Sequence, residues 1–219
     1  MIAERLIKLR NQLPESVTLV AVSKTKPVSA IQEAYEAGQR DFGENKVQEM
    51  VDKKDRLPDD IRWHLIGHLQ SNKVKYIAPF VHLIHSVDSL KLLREINKQG
   101  QKNNRRIDCL LQFHIAQEET KFGLNLSEAT ELLDSSDFRS FTHIRICGVM
   151  GMASFTEDSD LIRREFRMLK EIFSTLKGRY FINSENFKEL SCGMSSDYIL
   201  AIEEGSTMIR VGSTLFGER

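Results

Sequence analysis

The segment TLVAVSKTKP, residues 18–27, runs a series of apolar β-forming residues into a lysine, Lys24. An amine at the end of a buried strand is costly unless something uses it. A second group of reactive types lies near the C-terminus. There ELSCGMSSD (189–197) passes through Gly193 to Ser195 and Ser196, and MIRVGSTLFG (208–217) carries Arg210, Gly212 and Ser213. Hydroxyls, a guanidinium and backbone that can be approached closely at glycine are what an anion takes, above all where unpaired N–H groups open a helix. Each piece also has an ordinary reading. A strand-end lysine can snorkel to water, as Lys26 is expected to do, and glycine-serine turns serve turn geometry and helix capping.

These groups act together only if the fold unites them. Apolar, β-rich runs recur at 18–24, 40–45, 62–67, 81–88, 107–115, 143–152, 189–194 and 208–217. Helical patterns lie between them. The clearest covers 157–177, where Ile162, Phe166, Leu169, Phe173 and Leu176 repeat at steps of four and three, with Gly178 expected as its C-cap. Ser29 with Gln32 suggests a capping box for a helix that Gly38 ends. Ser89 is placed to cap a helix that Gly100 ends, and Gly205 to stop one starting near Ser195. Continuous apolar strands alternating with helices indicate a parallel sheet covered by helices. Eight such units close into a (β/α)₈ barrel. A doubly wound open sheet shares the local pattern, and the strand count favours the barrel. Ile2, Leu6, Leu9 and Leu13 add a helix before the first strand. No linker, composition shift or internal repeat divides the chain, so residues 1–219 are expected to form a single domain.

Barrel active sites lie at the C-terminal strand ends, and phosphate sites often follow strands seven and eight. Closure sets strand one beside strand eight, and so brings Lys24 next to the anion-binding group. A lysine amine facing a phosphate-anchored ligand suits Schiff-base chemistry with a phosphorylated aldehyde, for which pyridoxal 5′-phosphate (PLP) is the leading candidate.

Bulk properties narrow the classes. Lys+Arg and Asp+Glu both total 31, which leaves no electrostatic footprint for nucleic acid or an anionic membrane. No apolar run is long enough to span a bilayer, and MIAERLIKLRNQL lacks a signal-peptide core. Cys109, Cys147 and Cys192 are scattered in apolar runs, as reduced core thiols are, and the expected location is the cytoplasm. His64 and His68 straddle Gly67, while His82 and His85, three apart on a strand, would face opposite ways, so no metal site is expected. His64 is a plausible pocket residue.

The motifs LVAVSKTKP, DFGENKVQEM, WHLIGHLQSNKV, HSVDS, KFGL and CGMSSDYILAIEEGSTMIRVGSTLFG run in order along the whole chain and resemble the YggS/PROSC family of PLP homeostasis proteins. The resemblance implies a barrel like the N-terminal domain of alanine racemases, with PLP held as an internal aldimine on Lys24. It implies that Asn45 and Ser86 lie beside the cofactor and that Met194 lines the pocket. Ser195, Ser196, Arg210, Gly212 and Ser213 would hold the phosphate, although Arg210 could face the pyridine nitrogen instead. Lys121 of KFGL matches a family lysine near the pocket mouth. Cys192 stands where the family commonly has methionine, a soft apolar exchange that leaves PLP binding in place.

Three functions fit these residues: a PLP carrier without robust turnover, a PLP-dependent amino-acid racemase-like enzyme, and a PLP-independent enzyme acting on a phosphorylated metabolite. Racemases of this fold use a second, β-rich domain and a tyrosine base from a partner subunit. Proton transfer at an amino-acid α-carbon needs an acid/base group on each face of the cofactor. Lys24 could serve one face, and none of Tyr35, Tyr76, Tyr180 or Tyr198 matches the missing base. The carrier reading is therefore preferred. Its expected partners are PLP and PLP-dependent apoenzymes, and the resemblance implies a monomer.

Overall fold

The apolar runs become eight short strands: β1 (Thr18–Val22), β2 (Asp41–Glu44), β3 (Arg62–Leu65), β4 (Leu83–Val87), β5 (Ile107–Phe113), β6 (Ile144–Gly151), β7 (Glu189–Ser191) and β8 (Met208–Val211). Each pairs in parallel with the next, and β8 returns to β1, closing the barrel. The computed structural model describes residues 1–118 and 122–217. Lys121 lies outside the described residues.

Among the described residues, ten α-helices surround the barrel: α1 (Ile2–Arg10), α2 (Val28–Glu36), α3 (Val47–Lys54), α4 (Val74–Ile77), α5 (Leu90–Lys102), α6 (Leu126–Asp134), α7 (Ser136–Ser140), α8 (Ser159–Tyr180), α9 (Tyr198–Glu203) and α10 (Ser213–Phe216). α1 is the extra N-terminal helix, with Leu6 and Leu9 buried.

Several helix ends differ from expectation, for identifiable reasons. α2 starts after Pro27, whose φ of −69° suits a helix entry, so Ser29 sits inside the first turn and makes no capping box. α5 runs through Gly100 to Lys102. Gly100 is there because a Cβ would meet the His143 carbonyl oxygen at 2.7 Å. α8 likewise continues past Gly178 to Tyr180. α9 begins at Tyr198, which leaves Ser195 and Ser196 in a turn outside the helix. β8 stops at Val211, and residues 213–216 form a single helical turn. The expected Ser89 cap is present, its Oγ accepting from the Leu92 N–H at 3.3 Å. Gly38 and Gly205 follow their helices with φ of +92° and +100°.

Alternation along the strands creates two apolar layers. Leu19, Ala21, Phe42, Trp63, Leu65, Ile84, Cys109, Leu111, Ile209 and Val211 point outward into the large core beneath the helices. Inside the barrel a second, much smaller cluster consists of Val20, Leu83, Leu110, Cys147, Met150 and Met208. The rest of the interior is polar: His64, His85, Ser191 and Arg210 are all buried.

Candidate functional site

At the C-terminal strand ends lies a cleft of about 580 Å³ lined by residues from both ends of the chain. β1 continues into it through Val22 and Lys24. Asn45 enters after β2, Ile66 after β3, Met152 and Phe155 after β6. Met194, Ser195 and Ser196 follow β7, while Arg210 and the Gly212–Thr214 stretch come from β8 and its exit. Pairing of β1 with β8, with Val20 opposite Arg210, brings Lys24 into one cleft with Ser195, Ser196, Gly212 and Ser213.

The backbone around Lys24 is fixed by a buried network that sequence reading missed. Lys53, on α3, donates from Nζ to the Ser23 carbonyl at 2.8 Å, to Glu44 Oε1 at 2.7 Å and to Glu49 Oε1 at 2.6 Å. Ser23 Oγ donates to the same Glu44 oxygen at 2.6 Å, and Glu49 Oε1 accepts from the Thr25 N–H at 2.5 Å. The residues on either side of Lys24 are thus both pinned. Thr25 sits at φ 64°, a left-handed conformation that a β-branched residue rarely adopts, next to the reactive-type lysine. Burial raises the Glu44 carboxyl above its ordinary value, with hydrogen bonds from Lys53 and Ser23 opposing the shift. The signal in the sequence was the Glu49–Lys53 spacing, which reads as a routine surface pair on a helix.

Two loops line the same cleft. Gly193 has φ +96°, and a Cβ there would meet Ala201 Cβ at 2.7 Å, so the chain turns tightly from β7. Asp197 Oδ1 accepts from the Met194 N–H at 2.6 Å and closes the turn carrying Ser195 and Ser196. Ser195 Oγ accepts from the Gly212 N–H at 3.1 Å, tying this loop to the exit of β8. At the rim Lys26 Nζ donates to the Gly217 carbonyl at 2.9 Å, so it is no freely solvated lysine.

Arg210 forms part of the floor. It donates from Nη1 to Ser191 Oγ at 2.7 Å and from Nη2 to the Gly151 carbonyl at 3.1 Å. A guanidinium has five N–H donors, of which these bonds use two. Burial lowers its pKa from the ordinary value, against the pull of Cys192 and Asp197.

Of the residues expected at the site, the cleft brings together Lys24, Asn45, Met194, Ser195, Ser196, Arg210, Gly212 and Ser213. His64 and Ser86 do not line it. His64 lies in the middle of β3 with its ring directed toward the opposite end of the barrel, Nε2 3.0 Å from Asp41 Oδ1. Ser86 is fully buried on β4, its Oγ lacking a hydrogen-bond partner among the described residues. The histidines also depart from expectation. His82 precedes β4, so the alternation rule does not apply to it, and both His82 and His85 pack at a tilt against His64, with ring centroids 5.3 and 5.2 Å away. Asp41, His64 and His82 offer ligand-type atoms all within 4.8 Å of one another. The Arg62 guanidinium, however, covers both Asp41 oxygens at 2.8 and 2.5 Å, and His64 bonds to the same carboxylate. Asp41 is thus already engaged by a cation.

The cleft suits a small phosphorylated aldehyde. Its volume lies within the usual range for cofactor pockets. An amine, two linked glycine-serine loops and a buried guanidinium share its lining. Among the described residues, no tyrosine, histidine, cysteine or carboxylate lines it.

Comparison with known proteins agrees with this geometry. The family model described as "Alanine racemase, N-terminal domain" matches residues 1–219. A pyridoxal phosphate homeostasis protein of Aquifex aeolicus is 40% identical over 202 residues, covering 92% of this chain and 86% of the relative. One of Escherichia coli is 39% identical over 213 residues, covering 94% and 87%. The solved structure of PipY from Synechococcus elongatus with PLP bound superimposes with a TM-score of 0.88 at 39% identity, covering 99% of this chain and 100% of that one. Without PLP the TM-score is 0.92. Alanine racemase from E. faecalis shares the fold, with a TM-score of 0.74 at 15% identity over 58% of its chain.

Proposed function

The chain belongs to the alanine racemase N-terminal domain family and to the pyridoxal phosphate homeostasis proteins, and from that premise we propose that residues 1–219 form one PLP-binding domain that holds the cofactor through a Schiff base on Lys24. The observation that carries this reading is that Lys24 lines one cleft together with the paired loops of Ser195–Ser196 and Gly212–Ser213. PLP supplies a reactive aldehyde and an anionic phosphate. Lys24 anchors the first, and the two loops receive the second with hydroxyls and backbone N–H groups. Met194 and Ile66 supply apolar wall, and Asn45 a polar contact. Arg210, anchored below by Ser191 and Gly151, faces the ring nitrogen and does not take the phosphate. A guanidinium there keeps the pyridine unprotonated and limits it as an electron sink.

The protein is a carrier that binds and releases PLP and supports its supply, in the cytoplasm, as a monomer that can serve PLP-dependent apoenzymes. Support comes from the cleft lining, which among the described residues pairs Lys24 with no tyrosine, histidine, cysteine or carboxylate to act as the second acid/base group a racemase needs. The names of the relatives point the same way. The racemase-like alternative predicts α-proton exchange.

Incubating the PLP-loaded protein with common amino acids in deuterated water separates the two readings. The carrier reading expects no catalytic deuterium incorporation at Cα, and multiple turnovers with any amino acid would overturn it. PLP retention through desalting, compared between wild type and Lys24→Ala, tests the anchor. Retention should be lost in the variant, and equal retention would remove Lys24 from the site.

A further inference from the structure

The barrel interior carries an unbroken string of hydrogen bonds from the cleft floor to the opposite end of the barrel. Arg210 Nη1 bonds to Ser191 Oγ at 2.7 Å, and Ser191 Oγ lies 3.1 Å from His85 Nδ1. His85 Nε2 is 2.9 Å from His64 Nδ1, and His64 Nε2 is 3.0 Å from Asp41 Oδ1. Five strands contribute one member each: β8, β7, β4, β3 and β2. All five side chains are buried, in an interior whose other lining is the small apolar cluster around Val20, Leu110 and Met150.

With both histidines neutral, the two ends fix the direction of the string. A guanidinium only donates and a carboxylate only accepts. His64 must therefore carry a proton on Nε2 to meet Asp41. With His64 neutral, its Nδ1 accepts from His85 Nε2–H. Neutral His85 then has a bare Nδ1, which accepts from the Ser191 hydroxyl, and Ser191 in turn accepts from Arg210. Every donor is used once, and all dipoles point from Arg210 toward Asp41. Burial, reinforced by His64 and Arg210, holds His85 well below its ordinary pKa, consistent with a neutral ring. Extra protonation of His64 would reverse the two inner bonds and leave the Ser191 hydroxyl needing another acceptor.

The string also addresses an electrostatic need. Arg210 is a buried cation that forms no ion pair among the described residues, Asp197 acting on it only at longer range. An isolated buried charge is strongly disfavoured, and aligned hydrogen bonds can bring compensating charge to it. Asp41 anchors the far end and is itself secured by the Arg62 guanidinium.

We propose that Ser191, His85, His64 and Asp41 form a directional hydrogen-bond relay that orients and polarises Arg210, and that these four are positioning residues for the cofactor's pyridine nitrogen. The part concerning the nitrogen rests on the function proposed above; the relay itself belongs to the cofactor-free protein. His64 and Ser86 thus separate: His64 acts on the cleft through three intermediaries, and Ser86 lies outside the string.

Nitrogen-15 NMR of the histidine rings in the full chain without PLP tests the relay directly. Both His64 and His85 should be Nε2–H tautomers with bare, hydrogen-bonded Nδ1 atoms. Ser191→Ala should shift the His85 Nδ1 resonance toward the unbonded value, and Ser191→Thr should restore it. A proton on His85 Nδ1 in the wild type, or no response to Ser191→Ala, would overturn the relay. In the PLP-loaded protein, Ser191→Ala should move the visible absorption band and weaken PLP retention about tenfold, the loss of one hydrogen bond to a charged group. An unchanged band and unchanged retention would remove the link to the nitrogen. Failure of the wild type to bind PLP would instead overturn the proposed function and leave the NMR result standing.

Discussion

Lys24 is held in place by Lys53, so an amine assigned to chemistry depends on one assigned to structure. Lys53 bonds to Ser23 and Glu44 and, through Glu49, secures Thr25. Removing one partner of a buried ion pair strands the other, so Lys53→Met should cost about 3–5 kcal/mol in urea unfolding. A loss under 1 kcal/mol, the size typical of surface pairs, would contradict this account. At the other end of the barrel, burial alone would raise the Asp41 carboxyl, but hydrogen bonds from Arg62 and His64 outweigh it and hold the group well below the usual carboxylate range. The sign follows: this stability is fully present above the unfolded value of about 4 and is lost as pH falls through the folded one. Asp41→Asn should therefore flatten the acid limb of a stability–pH curve below about pH 4 and leave its alkaline side alone; an unchanged acid limb would refute the assignment. The grouping of Lys24 with Ser195, Ser196, Gly212 and Ser213 was readable because barrel closure sets strand one beside strand eight. Lys53 was not, since one sequence cannot distinguish an i,i+4 pair on a helix surface from a buried one.

Strands and helices were legible where periodicity is long, as in α8, and least legible at their ends. Gly100 and Gly178 both looked like helix stops, yet both lie inside helices. At Gly178 nothing lies within 4 Å of where a Cβ would stand. Gly178→Ala should therefore stabilise the protein by about 0.5–1 kcal/mol, measurable as a higher melting temperature. A lower melting temperature would show that the helix really ends there. Gly67 is the opposite case. A Cβ would stand 2.3 Å from the Asn45 carbonyl oxygen, so Gly67→Ala must displace the β2 exit that carries Asn45 into the cleft. The expected cost is about 1–3 kcal/mol of stability together with weakened PLP retention. Full retention would mean that Asn45 contributes little to holding the cofactor. No sequence pattern distinguishes these glycines, because the difference lies in the neighbouring chain.

For the whole molecule, alternation and strand count were enough to indicate a closed barrel, and closure was enough to bring Lys24 to the C-terminal loops. The polar interior was beyond sequence reading. Whether His64 faces the cleft or the far end depends on register and ring orientation, and His82 became its neighbour by lying just outside a strand. The three cysteines are free and buried, as their apolar surroundings suggested. Burial raises all three thiols, Cys147 and Cys192 to about 11 and Cys109 well above its ordinary value. Thiol reagents at pH 8 should therefore leave the folded protein unlabelled and react with all three cysteines once it unfolds. Rapid labelling of the native protein would contradict this packing. The central claim is that the barrel exists to present one lysine to PLP. Its most direct measurement is borohydride reduction of the PLP-loaded protein followed by peptide mass mapping. The account predicts loss of the visible band and a single pyridoxyl-phosphate adduct at Lys24; an adduct at another lysine, or none, would contradict it.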